Sequence, residues 1–153
     1  MGTEIERKFL VRGAGWRVGP GARYRQGYLS SEPERTVRVR VAGAAAWLTI
    51  KGATRGIARP EYEYAIPVAE AEELLDGLCQ RPLIEKTRYR VDHGAHTWEV
   101  DEFHGDNEGL VIAEVEVQDA AEEVALPAWV GEEVSHDPRY FNSNLARHPY
   151  RRW

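Results

Sequence analysis

Apolar and polar positions alternate with a period of two along most of the chain, the pattern of half-buried β-strands. Seven segments carry it, each bounded by Gly, Pro or Asn: Glu4–Leu10, Arg35–Ala42, Ala46–Gly52, Pro60–Ile66, Leu83–Val91, His96–Phe103 and Leu110–Gln118. An eighth, Arg23–Leu29, is aromatic-rich and less regular. Connections such as A-G-A-A, D-H-G-A and H-G-D-N-E-G have hairpin length, so the predicted sheet is antiparallel. Three short segments read as helices. Val68–Leu78 lies between Pro67 and Pro82, Asp119–Ala125 has Asp119 as N-cap, and Pro138–Ala146 has Asp137 as N-cap with Pro149 beyond. Leu74, Leu75 and Leu78 of the first are expected to cover an apolar face of the sheet.

The polar faces are charged at nearly every position. Glu4, Glu6 and Lys8 oppose Ile5 and Phe9; Arg38 and Arg40 oppose Val37, Val39 and Val41; Lys51 opposes Leu48 and Ile50. Glu61 and Glu63 oppose Tyr62, Tyr64 and Ile66; Lys86, Arg88 and Arg90 oppose Tyr89 and Val91. Glu99 and Asp101 oppose Trp98 and Val100, and Glu114 and Glu116 oppose Val111, Val115 and Val117. Two architectures accommodate this. One is an open sheet whose charged face meets water, with modest cross-strand ion pairs. The other is a closed barrel with the charges inside, wide enough at eight strands for one small ligand. A dry charged interior is excluded by the Born cost of burying ions, so such a lumen holds water or a ligand of matching charge. Cations suit a polyanion, and carboxylates without Cys or His suit a hard cation such as Mg²⁺ or Mn²⁺.

Composition narrows the field. The 153 residues predict a single domain over 1–153, and 42% apolar with 29% charged residues describes a globular chain. The net charge of −5 argues against a nucleic-acid or anionic-membrane coat, but does not forbid an anionic ligand in a cleft. One cysteine, Cys79, excludes a disulfide framework and reads as a small core residue. The charged start M-G-T-E-I-E-R-K has no apolar signal core and no apolar run reaches membrane-span length, so a cytoplasmic protein is expected. His93, His96, His104, His136 and His148 have no metal-ligand spacing, and no glycine-rich phosphate loop is present.

In order along the chain stand E-I-E-R-K at 4–8, R-V-R at 38–40, L-T-I-K at 48–51 and E-Y-E at 61–63. E-K-T-R at 85–88, W-E-V-D at 98–101, A-E-V-E-V at 113–117 and the tail D-P-R-Y-F-N-S-N-L-A at 137–146 complete the series. This series resembles the triphosphate tunnel metalloenzymes, the CYTH superfamily, over nearly the whole chain, and in particular their short bacterial triphosphatases. The resemblance implies a mainly β (α+β) fold: a closed eight-stranded antiparallel barrel with a few peripheral helices and a C-terminal helix. It implies that Arg38, Arg40, Lys51, Lys86 and Arg88 grip a triphosphate, with Lys8 nearby and Arg90 on the same face near its strand end. It implies that Glu4, Glu6, Asp101, Glu114 and Glu116 hold Mg²⁺ or Mn²⁺, directly or through water. Glu61, Glu63 and Glu99 then orient the cations or complete a second metal site.

The implied reaction is metal-dependent hydrolysis of inorganic tripolyphosphate to pyrophosphate and phosphate. Two side-chain routes to the attacking water are open: Lys8 with a lowered pKa, or Tyr28 positioned by Lys86. Competing readings are an adenylate cyclase, a thiamine or nucleoside triphosphatase, and a polyphosphate-binding module without catalysis. No nucleic-acid or membrane partner is expected, and an uncovered part of the apolar exterior leaves a homodimer open.

Overall fold

The computed structural model describes residues 2–153. Ten strands form one antiparallel sheet: β1 (Glu4–Val11), β2 (Ala22–Glu32), β3 (Arg35–Ala42), β4 (Ala45–Gly52), β5 (Ala58–Arg59), β6 (Glu61–Ala65), β7 (Ile84–His93), β8 (His96–Phe103), β9 (Val111–Glu116) and β10 (Val130–Glu133). Two helices accompany them, α1 (Val68–Gly77) and α2 (Asn142–Arg147). The strand order is β10-β1-β9-β8-β7-β2-β3-β4-β6, with β5 attached to β1.

The mainly β, antiparallel expectation holds, but the closure differs from that of a continuous barrel. No ladder joins β6 to β1. The seam is latched instead by Gly2 and Glu61, which exchange two backbone hydrogen bonds of 3.0 and 3.2 Å. Two pairs, Glu4 with Arg59 and Ile5 with Ala58, add to it. Pro60 explains why the single predicted strand 60–66 became two. It has no N–H to donate, so the chain breaks there and changes partner from β1 to β4.

The apolar faces turn outward and are covered piecewise. Phe9, Trp98, Val100, Ala113 and Val115 pack beneath Trp16 and Val130. Val39 and Ala46 pack beneath Ala71, Leu75 and Cys79 at α1. Leu75 is wholly buried and Leu74 half-buried, but Leu78 stands exposed because α1 ends one residue before it. A third cluster, Tyr28, Ile84, Phe103, Leu110 and Ile112 with Tyr140, Leu145 and Ala146, plugs one end of the curled sheet. Completely burying such aliphatic side chains stabilises by about 1.5–3 kcal/mol each.

Two further expectations are corrected, and one strand is added. Asp119–Ala125 makes one capped turn, with Ala121 N–H donating to Asp119 Oδ1 at 2.8 Å, and then runs extended. So short a segment cannot meet the cost of helix nucleation, and the Glu122 carboxylate is taken by Gln118 N–H and His96. Pro138–Ala146 is divided, because Phe141 is extended between a 3₁₀ turn at Pro138–Tyr140 and α2. The strand β10 had no alternation long enough to be read.

Candidate functional site

The curled sheet encloses a cup of about 310 Å³, open at one end and floored by the plug and by Asn142 at the start of α2. Period-2 geometry delivers side chains to it from most strands of the sheet. Glu4, Glu6 and Lys8 come from β1, Tyr28 from β2, Arg38 and Arg40 from β3, and Lys51 from β4. Glu61 and Glu63 come from β6, Lys86, Arg88 and Arg90 from β7, Glu99 from β8, and Glu114 and Glu116 from β9. Asp101 lies behind this lining, 1% exposed. Arg90 stands at the rim, 64% exposed, where its strand leaves the cup.

Four lining residues were not anticipated: Tyr24, Trp47, Arg59 and Asn142. Strand parity alone carries a signal for two of them, since Tyr24 shares a face with Tyr28, and Trp47 with Lys51. Arg59 and Asn142 depend on the seam and on the docking of α2, which no local pattern reports.

The lumen is nearly self-neutralised. Lys8 Nζ donates to Glu6 at 2.9 Å and to Glu114. Lys51 Nζ donates to both Glu4 oxygens at 2.9 and 3.0 Å and lies 3.5 Å from Glu61. Arg88 forks onto both oxygens of Asp101 at 2.7 and 2.9 Å and reaches Glu99 at 3.2 Å. Lys86 Nζ contacts Asp101 at 2.8 Å and donates to Asn142 Oδ1 at 2.9 Å. Two guanidiniums are poorly matched. Arg38 is 3.7 Å from Glu63, and its buried Nε has no hydrogen-bond partner. Arg40 makes no ion pair among the described residues, and its Nε donates to Gln26 at 3.1 Å.

These contacts separate two lysines that look alike in the sequence. Burial opposes charge on both. At Lys8 the Glu114 and Glu6 carboxylates win, and its pKa lies well above the ordinary lysine range. At Lys86 burial wins, bringing its pKa down to about 7. Asp101 pulls it the other way, but that carboxylate already forks to Arg88, and Arg88 and Arg40 repel Lys86. The lowered pKa anticipated for Lys8 is therefore found at Lys86. The anticipated Tyr28–Lys86 pairing is also absent among the described residues, since the ammonium is held by Asp101 and Asn142.

The carboxylates divide as well. Burial would raise Glu4, Glu6 and Asp101, but neighbouring cations hold each at about 2. Glu116 and Glu61 are raised, first by burial and then by carboxylate neighbours, Glu4 and Glu6 for Glu116 and Glu4 for Glu61. Negative charge is thus in excess on the wall formed by β1, β9 and β6. Among the described residues, no three carboxylates converge on a common point that would hold a metal. Their ion pairs with Lys8, Lys51 and Arg88 keep them apart.

The family model for the CYTH domain matches residues 2–150. The inorganic triphosphatase of Acetivibrio thermocellus is 52% identical over 152 residues, covering 99% of this chain and 97% of that protein. The inorganic triphosphatase of Nitrosomonas europaea is 39% identical over 149 residues, covering 94% and 97%. A solved structure of an inorganic triphosphatase superposes with a TM-score of 0.65 at 37% identity, covering 93% of this chain and 96% of that one. Among the described residues no helix is long and apolar enough to cross a membrane.

Proposed function

The chain belongs to the CYTH domain family, and from that premise we propose that it hydrolyses inorganic tripolyphosphate to pyrophosphate and phosphate inside the cup. The observation that carries the reading is the pair of under-matched guanidiniums. Among the described residues Arg40 has no carboxylate partner and Arg38 keeps an orphaned Nε, both on the cavity wall. Cations drawn out of water and only partly paired are incompletely compensated for their lost hydration, so such groups favour a polyanion.

Arg38, Arg40 and Arg88 bind phosphate oxygens through forked donors, and Lys8 and Lys51 bind them as point charges. Arg90 meets the substrate at the rim. Asp101 sets Lys86 and Arg88 in place, because both its oxygens are already taken by them. As a triphosphate engages Lys8 and Lys51, it releases Glu6, Glu114 and Glu4 from their ion pairs.

The released carboxylates, with Glu116 and Glu61, fit a hard divalent cation, and Mg²⁺ or Mn²⁺ is the candidate. Glu63 and Glu99 stay closer to the arginines they face. Such an ion would supply charge neutralisation to the bound triphosphate. Lys86, poised near neutrality on the floor, accepts the proton of the attacking water. Asn142 orients its Nζ, and Tyr28 closes the floor beside it. Lys8 stays protonated and grips the substrate.

Incubation of the purified protein with Mg²⁺ or Mn²⁺ and tripolyphosphate, ATP or thiamine triphosphate tests the reading. Preferred release of phosphate and pyrophosphate from tripolyphosphate supports it. Cyclic AMP and pyrophosphate from ATP, or tight tripolyphosphate binding without turnover, overturns it.

A further inference from the structure

We propose that Tyr24 is a positioning residue for this site: its ring aims the Arg40 and Arg88 guanidiniums into the lumen without neutralising either one. The inference rests on the triphosphate reading above.

Strand register brings the three side chains together. On β2, Tyr24 faces Ala42 of β3 on one side and Lys86 of β7 on the other. Arg40 faces Gln26 and Arg88 faces Ala22, each two residues from Tyr24. Both arginines are therefore its diagonal neighbours, within reach of an aromatic side chain. Their guanidinium carbons lie over its ring at 5.0 and 4.9 Å. Tyr24 is itself buried and lines the cup.

The two arginines are like charges on adjacent walls. Arg88 is anchored by Asp101, but among the described residues Arg40 has only the Gln26 oxygen and this ring. A carboxylate in place of Tyr24 would hold both guanidiniums and compete with phosphate for them. A ring face attracts a cation and leaves its N–H groups free. An aliphatic side chain would fill the space but would not attract the cations.

Isothermal titration of tripolyphosphate in EDTA measures binding without turnover. Tyr24→Leu weakens binding by about tenfold, the scale of two partly desolvated cation–ring contacts. Tyr24→Phe restores wild-type affinity because it keeps the ring. If Tyr24→Leu does not fold, Tyr24→Met is read the same way. Wild-type affinity in Tyr24→Leu or its substitute overturns the inference alone, as does an equal loss in Tyr24→Phe. A wild-type protein that neither binds tripolyphosphate in EDTA nor cleaves it with Mg²⁺ or Mn²⁺ overturns the functional reading, and Tyr24 falls with it.

Discussion

Lys86 is one of three lumen lysines, and burial acts on it more strongly than its neighbours do. Its pKa of about 7 lies below its usual value, so the ammonium is lost as pH rises through neutrality. The reaction therefore speeds up with pH across that range, and a pH profile of kcat/KM between 5.5 and 8.5 measures it (about pH 7 at the midpoint). Lys86→Met removes this limb and lowers kcat by about a hundredfold or more, the range of a lost general base. In the sequence, Lys8 and Lys86 were equivalent members of charged strand faces. Their difference arises from how the carboxylates are shared: Lys8 has Glu6 and Glu114, whereas Lys86 competes with Arg88 for Asp101. Apart from Glu6, two positions from Lys8, that sharing is set by partners 13 to 106 positions away, which no local pattern reports.

Two elements position this chemistry from outside the strand faces. Asn142 opens α2 and accepts from both Gln26 and Lys86, each at 2.9 Å. Asn142→Asp adds a carboxylate at that point and raises the Lys86 pKa by about one to three units, moving the acidic limb of the kcat/KM profile to higher pH. An unmoved limb would contradict the role given to Lys86. On β2, the position of Gly27 faces the connection from α1 to β7: an added Cβ would meet Leu83 Cδ2 at 2.7 Å and Cys79 Cβ at 2.8 Å. Gly27→Ala overpacks this contact and costs about 1–3 kcal/mol, read as a lower urea midpoint with an unchanged slope. Strand faces were legible because period-2 alternation is a local property. The split at Pro60, the strand β10, the division at Phe141 and the exposure of Leu78 were not, since each depends on which element docks against which.

Over the whole molecule, the chain combines a net charge of −5 with a cup built to take a polyanion. Sorting the charges by strand face left an open sheet and a charged lumen both standing, and the family's motifs decided for the lumen and named its walls. The seam and the floor were not legible, because Gly2, Arg59 and Asn142 reach their places through tertiary contacts. The ion pairs also set acid stability. Glu4 and Glu6 are held at about 2 against 4.5 unfolded, and Asp101 at about 2 against 3.8. Depressed carboxylates stabilise above their unfolded pKa and lose that contribution as pH falls, so stability declines from about pH 4.5 to about 2. Urea midpoints across that window measure the decline, and a flat profile would contradict the ion-pair network. The central claim, that this lumen binds and cleaves a triphosphate, is tested most directly by ³¹P NMR of tripolyphosphate and Mg²⁺ with the wild-type protein and Arg40→Gln. The account predicts phosphate and pyrophosphate in equal amounts from the wild type, so the pyrophosphate signal has twice the area of the phosphate signal. It also predicts turnover of tripolyphosphate at sub-saturating concentration slowed by about tenfold or more in Arg40→Gln, the cost of one lost charge-assisted contact. An unchanged tripolyphosphate spectrum with the wild type, or equal rates for the two proteins, would contradict it.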